Sequence, residues 1–248
     1  MPVAEEVLKS GKTAVLHYTL DLQADGQNLL VSFDDMSVIS VDGTELPDAV
    51  SQTAAASFLL PSLVVDRDGF VVDVVGMDAL VEQIEALDPS GDFEVTPELA
   101  AVLEDSVTSK YWDSWAGMWA TWGSFEDEVE AGTSEFAAAS GIAVSDVEMR
   151  SLGAVDGSLV ALLSTITLDG DDFTLAMGGT VAMATGSDPT ESSSISGQRV
   201  VTVEVVTDPA TLRPTSAFTS IEVEVTADGE TRSQLEERRW IFDWSACS

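Results

Sequence analysis

Residues 13–33 read TAVLHYTLDLQADGQNLLVSF, and this stretch decides the fold expected for the chain. Apolar and polar residues alternate on both sides of Asp25-Gly26, which is the pattern of half-buried strands. Asp tolerates a positive φ and Gly adopts one freely, so the pair suits a tight β-hairpin turn. The stretch therefore predicts two antiparallel strands, the first with Leu16, Tyr18 and Leu20 on one face and His17 on the other.

Further Asp-Gly pairs extend this hairpin pattern along the chain. They are Asp42-Gly43, Asp68-Gly69, Asp156-Gly157, Asp169-Gly170 and Asp228-Gly229. After Asp169-Gly170, the residues Phe173, Leu175 and Met177 alternate with others, so that pair too is predicted to join two strands. Repeated turns of this kind indicate a sheet built mostly from antiparallel hairpins.

Helical patterns appear between the hairpins. Residues 48–60 are compatible with a short helix, and apolar residues recur at helical spacing from Met77 to Leu87. Thr96-Pro97-Glu98 combines a capping hydroxyl, a proline at the first helical position and an acid near the positive end of the helix dipole. A further helix is therefore predicted from Pro97 to Trp122.

Together these elements predict a single α+β domain over residues 1–248. Its curved, mostly antiparallel sheet would hold N-terminal hairpins at 13–75 and C-terminal hairpins at 144–244. The helical middle, 77–122, would pack on the concave face of the sheet. Two domains divided near residue 133 are the alternative.

The composition limits the partners that the protein can have. Acidic residues outnumber basic ones 44 to 10, giving a formal net charge of -34, while 45% of the residues are hydrophobic. That apolar fraction is sufficient for a core, so the charge does not indicate disorder. The acidic surface should repel nucleic acid and anionic membranes, and it is typical of halophilic or acidic secreted proteins. Because no stretch of 18 apolar residues is present, the chain is not expected to span a membrane.

Catalytic motifs are not evident. His17 is the only histidine, it falls on the polar face of its strand, and no nucleophile motif or phosphate-binding glycine loop accompanies it. The acids around Asp68 and Asp169 do not have EF-hand spacing and are interpreted as hairpin turns. Cys247 is the only cysteine, which excludes internal disulfides. We therefore predict no catalytic residues, no metal ligands and no cofactor.

The candidate ligand-binding residues are four tryptophans in the sequence YWDSWAGMWATW, residues 111–122. Trp112, Trp115, Trp119 and Trp122 are spaced three, four and three residues apart, which places them along one stripe of a helix. Such a stripe is either the core side of a helix packed on a sheet or the wall of a groove for an acyl chain, a sugar or a peptide.

Two parts of the chain resemble a loose group of uncharacterised exported bacterial proteins of myxobacterial type. The similar elements are the hairpin Asp66–Gly69 and the tryptophan motif that begins at Trp112. The end of the chain, from Thr207 through the Ile221–Thr226 strand, resembles the closing hairpins of curved-sheet envelope lipoproteins. These resemblances imply an extracytoplasmic curved sheet around helices and supply no catalytic residues.

The sequence therefore favours a non-enzymatic extracytoplasmic or envelope protein that binds a hydrophobic or amphipathic ligand, such as a small molecule, a lipid or a glycan. A hydrolase that uses paired carboxylates and an acidic protein-interaction module are the alternatives. The location is periplasmic or secreted if an export signal was removed, and cytoplasmic otherwise. The oligomeric state stays open.

Overall fold

A computed structural model describes residues 1–55, 61–66, 71–86, 96–97, 100–101, 103–104, 107, 146–171, 173–174, 195–208, 210–211, 213–227 and 229–246. The strands are β1 (Pro2–Lys9), β2 (Lys12–Asp25), β3 (Asn28–Val41), β4 (Thr44–Glu45), β5 (Ser62–Val65), β6 (Val71–Val75), β7 (Asp146–Asp156), β8 (Leu159–Asp169), β9 (Ser196–Asp208), β10 (Arg213–Ala227) and β11 (Glu230–Phe242). The helices are α1 (Asp48–Ala55) and α2 (Met77–Ala86), and a short 3-10 turn, Trp244–Ala246, follows β11.

The predicted fold class, α+β with helices packed on one face of the sheet, is wrong. Antiparallel strands dominate the described part of the chain, and helix contributes little. Besides α1 and α2, helical backbone is found at the described residues between Pro97 and Val107 and in one turn near Gly170. The prediction gave too much weight to the apolar spacing of the middle segment, whereas the second half of the described chain is almost entirely long strands. The remainder of the predicted 97–122 helix lies outside the described residues.

Several of the predicted hairpins are confirmed by the strand registers. Val41 pairs with Thr44, so Asp42-Gly43 forms the two-residue turn between them. Asp25 pairs with Asn28 and Asp156 with Leu159, so at these hairpins the Asp ends the strand and the Gly begins the two-residue turn. Asp42 has a φ of 50° and Gly43 one of 74°, the left-handed values that a type I′ turn requires. Local turn chemistry thus determines these connections.

The hairpin predicted at Asp169-Gly170 is wrong. Gly170, Asp171, Phe173 and Thr174 have helical backbone where a second strand was predicted to begin, and Leu175 and Met177 lie outside the described residues. The Thr174 hydroxyl donates to the Gly170 carbonyl, and the Phe173 ring is completely buried. Burial of the ring in this turn outweighs the alternation that indicated a strand.

The first strand was not expected from the sequence. The sequence of β1 lacks a regular apolar alternation, because the buried position between Val3 and Val7 is occupied by Glu5. Ser10 and Gly11 both have positive φ values, 52° and 74°, and connect β1 to β2 in a tight turn. β1 is essential for the site described below.

Contacts between Cα atoms divide the chain into two compact units. The first contains Met1–Val7, Lys12–Ser124 and Arg239–Ser248, and the second contains Leu8–Gly11 and Phe125–Arg238. The prediction of a single domain stays a prediction, because compact units in a contact pattern need not fold separately. Each unit is therefore described by itself.

The first unit has the strand order β6-β5-β3-β2-β1, with the end of β11 beside β1. One core cluster joins Val7, Leu16 and Val38 with half-buried residues that include Ala54 of α1. A second cluster joins Leu63, Val65 and Val107, so the described helical residue Val107 packs against β5. Both clusters lie on the face of β2 and β3 opposite to His17.

The second unit has the strand order β11-β10-β9-β8-β7. In β9, the side chains of Val201, Val203 and Val205 are at most 1% exposed, and the residues between them are half-buried. Leu162 and Ala217 pair with Val205 from the two neighbouring strands and are also buried. This unit therefore has a dry, valine-rich sheet face.

Candidate functional site

The alternation of β2 exposes one row of side chains in the first unit. Leu16, Tyr18 and Leu20 are buried, whereas His17 is exposed and Thr19 is half-buried. Because successive side chains of a strand point to opposite faces, His17 and Thr19 lie on the face away from the core. We call this surface the open face.

A β-bulge in β3 brings a carboxylate to the open face. His17 pairs with Ser37 and Thr19 with Asp34, so Asp35 and Met36 both fall opposite Tyr18. Met36 packs into the core cluster, and Asp35 is exposed with a left-handed φ of 54°. Asp tolerates this conformation better than most residues, and a bulge redirects a side chain in this way.

Backbone hydrogen bonds join the beginning of β1 to β2 on one side and to the residues after β11 on the other. The Met1 amino group donates to the Leu20 carbonyl at 2.6 Å, and the Leu20 amide donates to the Met1 carbonyl at 2.8 Å. The Asp243 amide donates to the Pro2 carbonyl at 3.1 Å. The residues that follow β11 are thereby fixed beside the beginning of β1.

The end of β11 contributes an apolar side chain to the open face. Trp240 and Phe242 are buried, whereas Ile241 between them is 65% exposed. Ile241 is the most exposed of the large apolar side chains in the described chain, ahead of Val155 at 58%. Ile241 therefore offers an apolar contact to a molecule in solution.

These segments enclose an open groove of about 300 Å³. Its lining comes from Pro2 and Ala4 of β1, His17 and Thr19 of β2, and Asp35 of β3. Ile241 and Asp243 border the same groove. The volume is at the lower end of the range for small-molecule sites.

The charge of the groove is negative. The Ser245 hydroxyl donates to the Asp243 carboxylate at 2.6 Å and the Ser245 amide at 2.9 Å, and these bonds lower the pKa of Asp243 from its ordinary value of 3.8. Asp243 is therefore ionised at neutral pH. No lysine or arginine is among the lining residues, all of which belong to the described chain. Arg239 shares the open face by strand alternation, but it already has an interaction partner.

A different arrangement of charge is found in the second unit. The buried Glu236 accepts from Lys9 at 2.7 Å and from two nitrogens of Arg238 at 2.7 and 2.8 Å. Burial by itself raises the pKa of Glu236, but the hydrogen bonds and charges of the two cations outweigh it and lower the pKa. Because both cations already bind the same buried carboxylate, we interpret this cluster as structural.

The sequence predictions for the site have mixed outcomes. Trp112, Trp115, Trp119 and Trp122 all lie outside the described residues, so their binding role stays a prediction. His17 is on the polar face of its strand, as predicted, but it lines a groove that was not foreseen. Within the described ranges, no group of three or more His, Cys, Asp or Glu side chains is arranged to hold a metal ion.

Asp35, Ile241 and Asp243 are the groove residues that sequence reasoning missed. The pair Asp34-Asp35 interrupts the alternation of β3, which is a signal for a bulge. In Trp240-Ile241-Phe242 three apolar residues follow one another, so one of them must leave the core face. Neither signal predicts that residues from β1, β2, β3 and the end of β11 line the same groove.

The groove is suited to binding more than to acid–base chemistry. Hydrolysis by paired carboxylates needs one acid whose pKa is raised by an apolar environment. The pKa of Asp243 is lowered, and both Asp35 and Asp243 are exposed. The described lining thus supplies charge, hydrogen-bonding groups and apolar contact to a ligand, and it disfavours the hydrolase alternative.

Comparisons with known proteins give little further information. No family model matches the chain, and no curated protein matches it. One solved structure, of lipid–protein interactions in lipovitellin, is similar with a TM-score of 0.43 and 8% identity. The match covers 98% of this chain and 24% of the lipovitellin chain, so this chain spans about a quarter of that protein. A likeness this weak supports no conclusion about fold or ligand. Among the described helices, none is long and apolar enough to cross a membrane.

Proposed function

We propose that the protein is a non-enzymatic binding protein whose groove on the open face takes a small amphipathic ligand. The observation that carries the proposal is the position of Ile241. Its side chain is 65% exposed at the rim of a groove of about 300 Å³ that also presents carboxylates. An apolar side chain beside convergent polar groups is the usual composition of a small-molecule site.

The proposal is also supported by the contrast with other exposed apolar residues. Ile39 of β3 is 36% exposed and is not among the residues that line the groove. Single exposed apolar residues are common on protein surfaces. The distinguishing feature of Ile241 is therefore its place in a concave site, and the two isoleucines form a matched pair for an experiment.

The test uses His17 as an internal reporter. Because His17 is the only histidine, its imidazole gives a single set of signals in an NMR spectrum of the whole protein. Titration with the neutral amphiphile 1-hexanol should shift these signals in a saturable manner. Ile241→Ser should weaken binding about fivefold, the equivalent of roughly 1 kcal/mol of lost apolar contact, and Ile39→Ser should leave it unchanged.

Two results would overturn the proposal. One is a His17 signal that does not move up to the solubility limit of 1-hexanol. The other is an equal loss of affinity in the two isoleucine variants, which would indicate non-specific association with exposed apolar surface.

We also propose that the protein works outside the cytoplasm, in the periplasm or as a secreted protein. The support is the acidic, lysine-poor composition, with 44 acidic and 10 basic residues, together with the resemblance to exported bacterial proteins. Fractionation of the host cells with an antibody to the folded protein tests this location. Detection in the cytoplasmic fraction alone would contradict it.

A further inference from the structure

We infer that the groove selects a small organic cation with an apolar body, of the alkylammonium class. This inference rests on the proposed function and specifies the chemistry of its ligand. The features that carry it are the two acidic residues that border a largely apolar groove and a described lining that contains no lysine or arginine.

The apolar body of the ligand would contact Ile241 and Pro2. Ile241 projects from the end of β11, and Pro2 is held next to it because the Pro2 carbonyl accepts from the Asp243 amide. Both side chains are exposed, so a ligand that covers them removes apolar surface from water. A bare inorganic cation gains nothing from this surface.

The positive group of the ligand would lie next to Asp243, which is beside Pro2, and Asp35 adds a second negative charge across the groove. Asp35 is presented by the β3 bulge, and Asp243 is held by its two bonds from Ser245. Neither carboxylate takes part in an ion pair with any residue that the structure describes. An ammonium group can therefore approach either carboxylate without displacing a protein cation.

Anions and hard metal ions fit the groove less well. An anionic amphiphile would approach two carboxylates in a protein whose net charge is -34. Calcium requires six to eight oxygen ligands, and in the described chain the groove supplies only two carboxylates. A weakly hydrated organic cation needs neither a full coordination shell nor a positive counter-charge from the protein.

The test compares three probes with the same six-carbon chain: hexyltrimethylammonium, 1-hexanol and hexanesulfonate. Each is titrated into the whole protein at constant low salt, and binding is followed by the His17 imidazole signals. Hexyltrimethylammonium should bind about tenfold more tightly than 1-hexanol, since an exposed ion pair and the negative charge of the groove each add modestly to affinity. Hexanesulfonate should bind more weakly than 1-hexanol.

The double variant Asp35→Asn/Asp243→Asn should remove the preference for hexyltrimethylammonium over 1-hexanol. Glu45→Gln/Glu82→Gln is the matched control, because it removes two exposed negative charges outside the groove. The control should keep most of the tenfold preference. Equal losses in the two double variants would show that only the overall charge attracts the ligand and would overturn the inference.

The remaining outcomes separate this inference from the proposed function. If 1-hexanol binds and the three probes have equal affinities, the groove exists as a binding site and the cation selectivity is wrong. If no probe shifts the His17 signals, the proposed function itself fails. Tetramethylammonium that binds as tightly as hexyltrimethylammonium would also overturn the inference, because the apolar body would then contribute nothing.

Discussion

The two units use β-alternation in different ways. In the second unit, the odd-numbered residues of β9 from Val201 to Thr207 are completely buried, and the even-numbered ones are half-buried. In the first unit, β2 buries Leu16 and Leu20 but leaves His17 exposed. The same strand pattern thus produces a dry core face in one unit and a partly exposed face in the other.

The difference indicates which residues can be substituted without a large change in the free energy of unfolding. Residues of the dry face are fixed by packing, so a change there affects folding first. Residues of the open face such as Ile241 are largely exposed, so a change there can affect binding alone. The predictions below test this division.

The largest expected effect comes from shortening a buried leucine. Leu162→Ala in β8 should destabilise the protein by about 3 kcal/mol, because Leu162 is 4% exposed and its removal leaves a cavity. Ile241→Ala removes the same number of carbon atoms from a 65% exposed side chain and should cost less than about 0.5 kcal/mol. Urea denaturation measures both free energies of unfolding. Similar costs would show that the open face is covered in solution.

A second effect of about 2 kcal/mol or more is expected at Gly197, at the start of β9. A Cβ atom there would overlap the Glu224 carbonyl of β10 and approach the Phe173 ring. Because the carbonyl is backbone, it cannot move away easily, and Gly197→Ala should be strongly destabilising. At Gly43 of the first unit a Cβ meets no atom, and only the positive φ opposes Gly43→Ala, at a cost of about 1 kcal/mol. Thermal unfolding of the two variants should reveal the order. A smaller loss for Gly197→Ala than for Gly43→Ala would contradict the close packing of β9 and β10.

The parts of the fold that depend on residues close in sequence could be predicted, and the parts that depend on tertiary contacts could not. The hairpins at Asp25-Gly26 and Asp156-Gly157 depend on a few neighbouring residues, and the sequence predicted both, although the turn itself begins at the Gly. The strand β1 was missed because Glu5 occupies a buried position that alternation assigns to an apolar residue. The helical turn around Phe173 was missed because its ring is buried by tertiary contacts that local propensity does not contain.

The groove illustrates the limit for functional sites. Its residues come from the beginning of the chain, from β2, from the bulge of β3 and from the end of β11. Each segment carries a weak local signal, such as Asp34-Asp35 or the apolar run at Ile241. Their meeting depends on strand order and register, which the sequence pattern does not specify. The four tryptophans, which carry the strongest sequence signal, lie outside the described residues.

An intermediate effect, about 2 kcal/mol at neutral pH, is expected for Glu236→Gln. The substitution removes a buried carboxylate that accepts from Lys9 and Arg238. Because the pKa of Glu236 is lowered in the folded state, its contribution is present above its ordinary pKa of 4.5 and is lost as pH falls through the lowered value. Denaturation curves measured at neutral and acidic pH should therefore show that the free energies of unfolding of wild type and variant differ at neutral pH and become similar in acid. Glu222→Gln, at an exposed site in β10, is the control and should show no such pH dependence. A difference that persists unchanged in acid would contradict the ion-pair account.

The smallest stability effect is expected from salt. The net charge of -34 places exposed carboxylates near one another, and salt screens their repulsion within about 10 Å at 0.1 M. The melting temperature should rise by a few degrees from low salt to about 1 M sodium chloride, corresponding to roughly 1 kcal/mol. Ile241→Ala should show the same rise, since it changes no charge. A melting temperature independent of salt would indicate that the acidic residues do not repel one another appreciably.

The central claim is that the open face of the first unit binds a small cationic amphiphile while the dry face of the second unit does not. The most direct measurement is an NMR titration of the wild-type protein with hexyltrimethylammonium. We expect saturable shifts of the His17 imidazole and of the Ala4 and Thr19 amides, with the Val201, Val203 and Val205 amides unchanged. Shifts at the three valines without a shift at His17 would contradict the account.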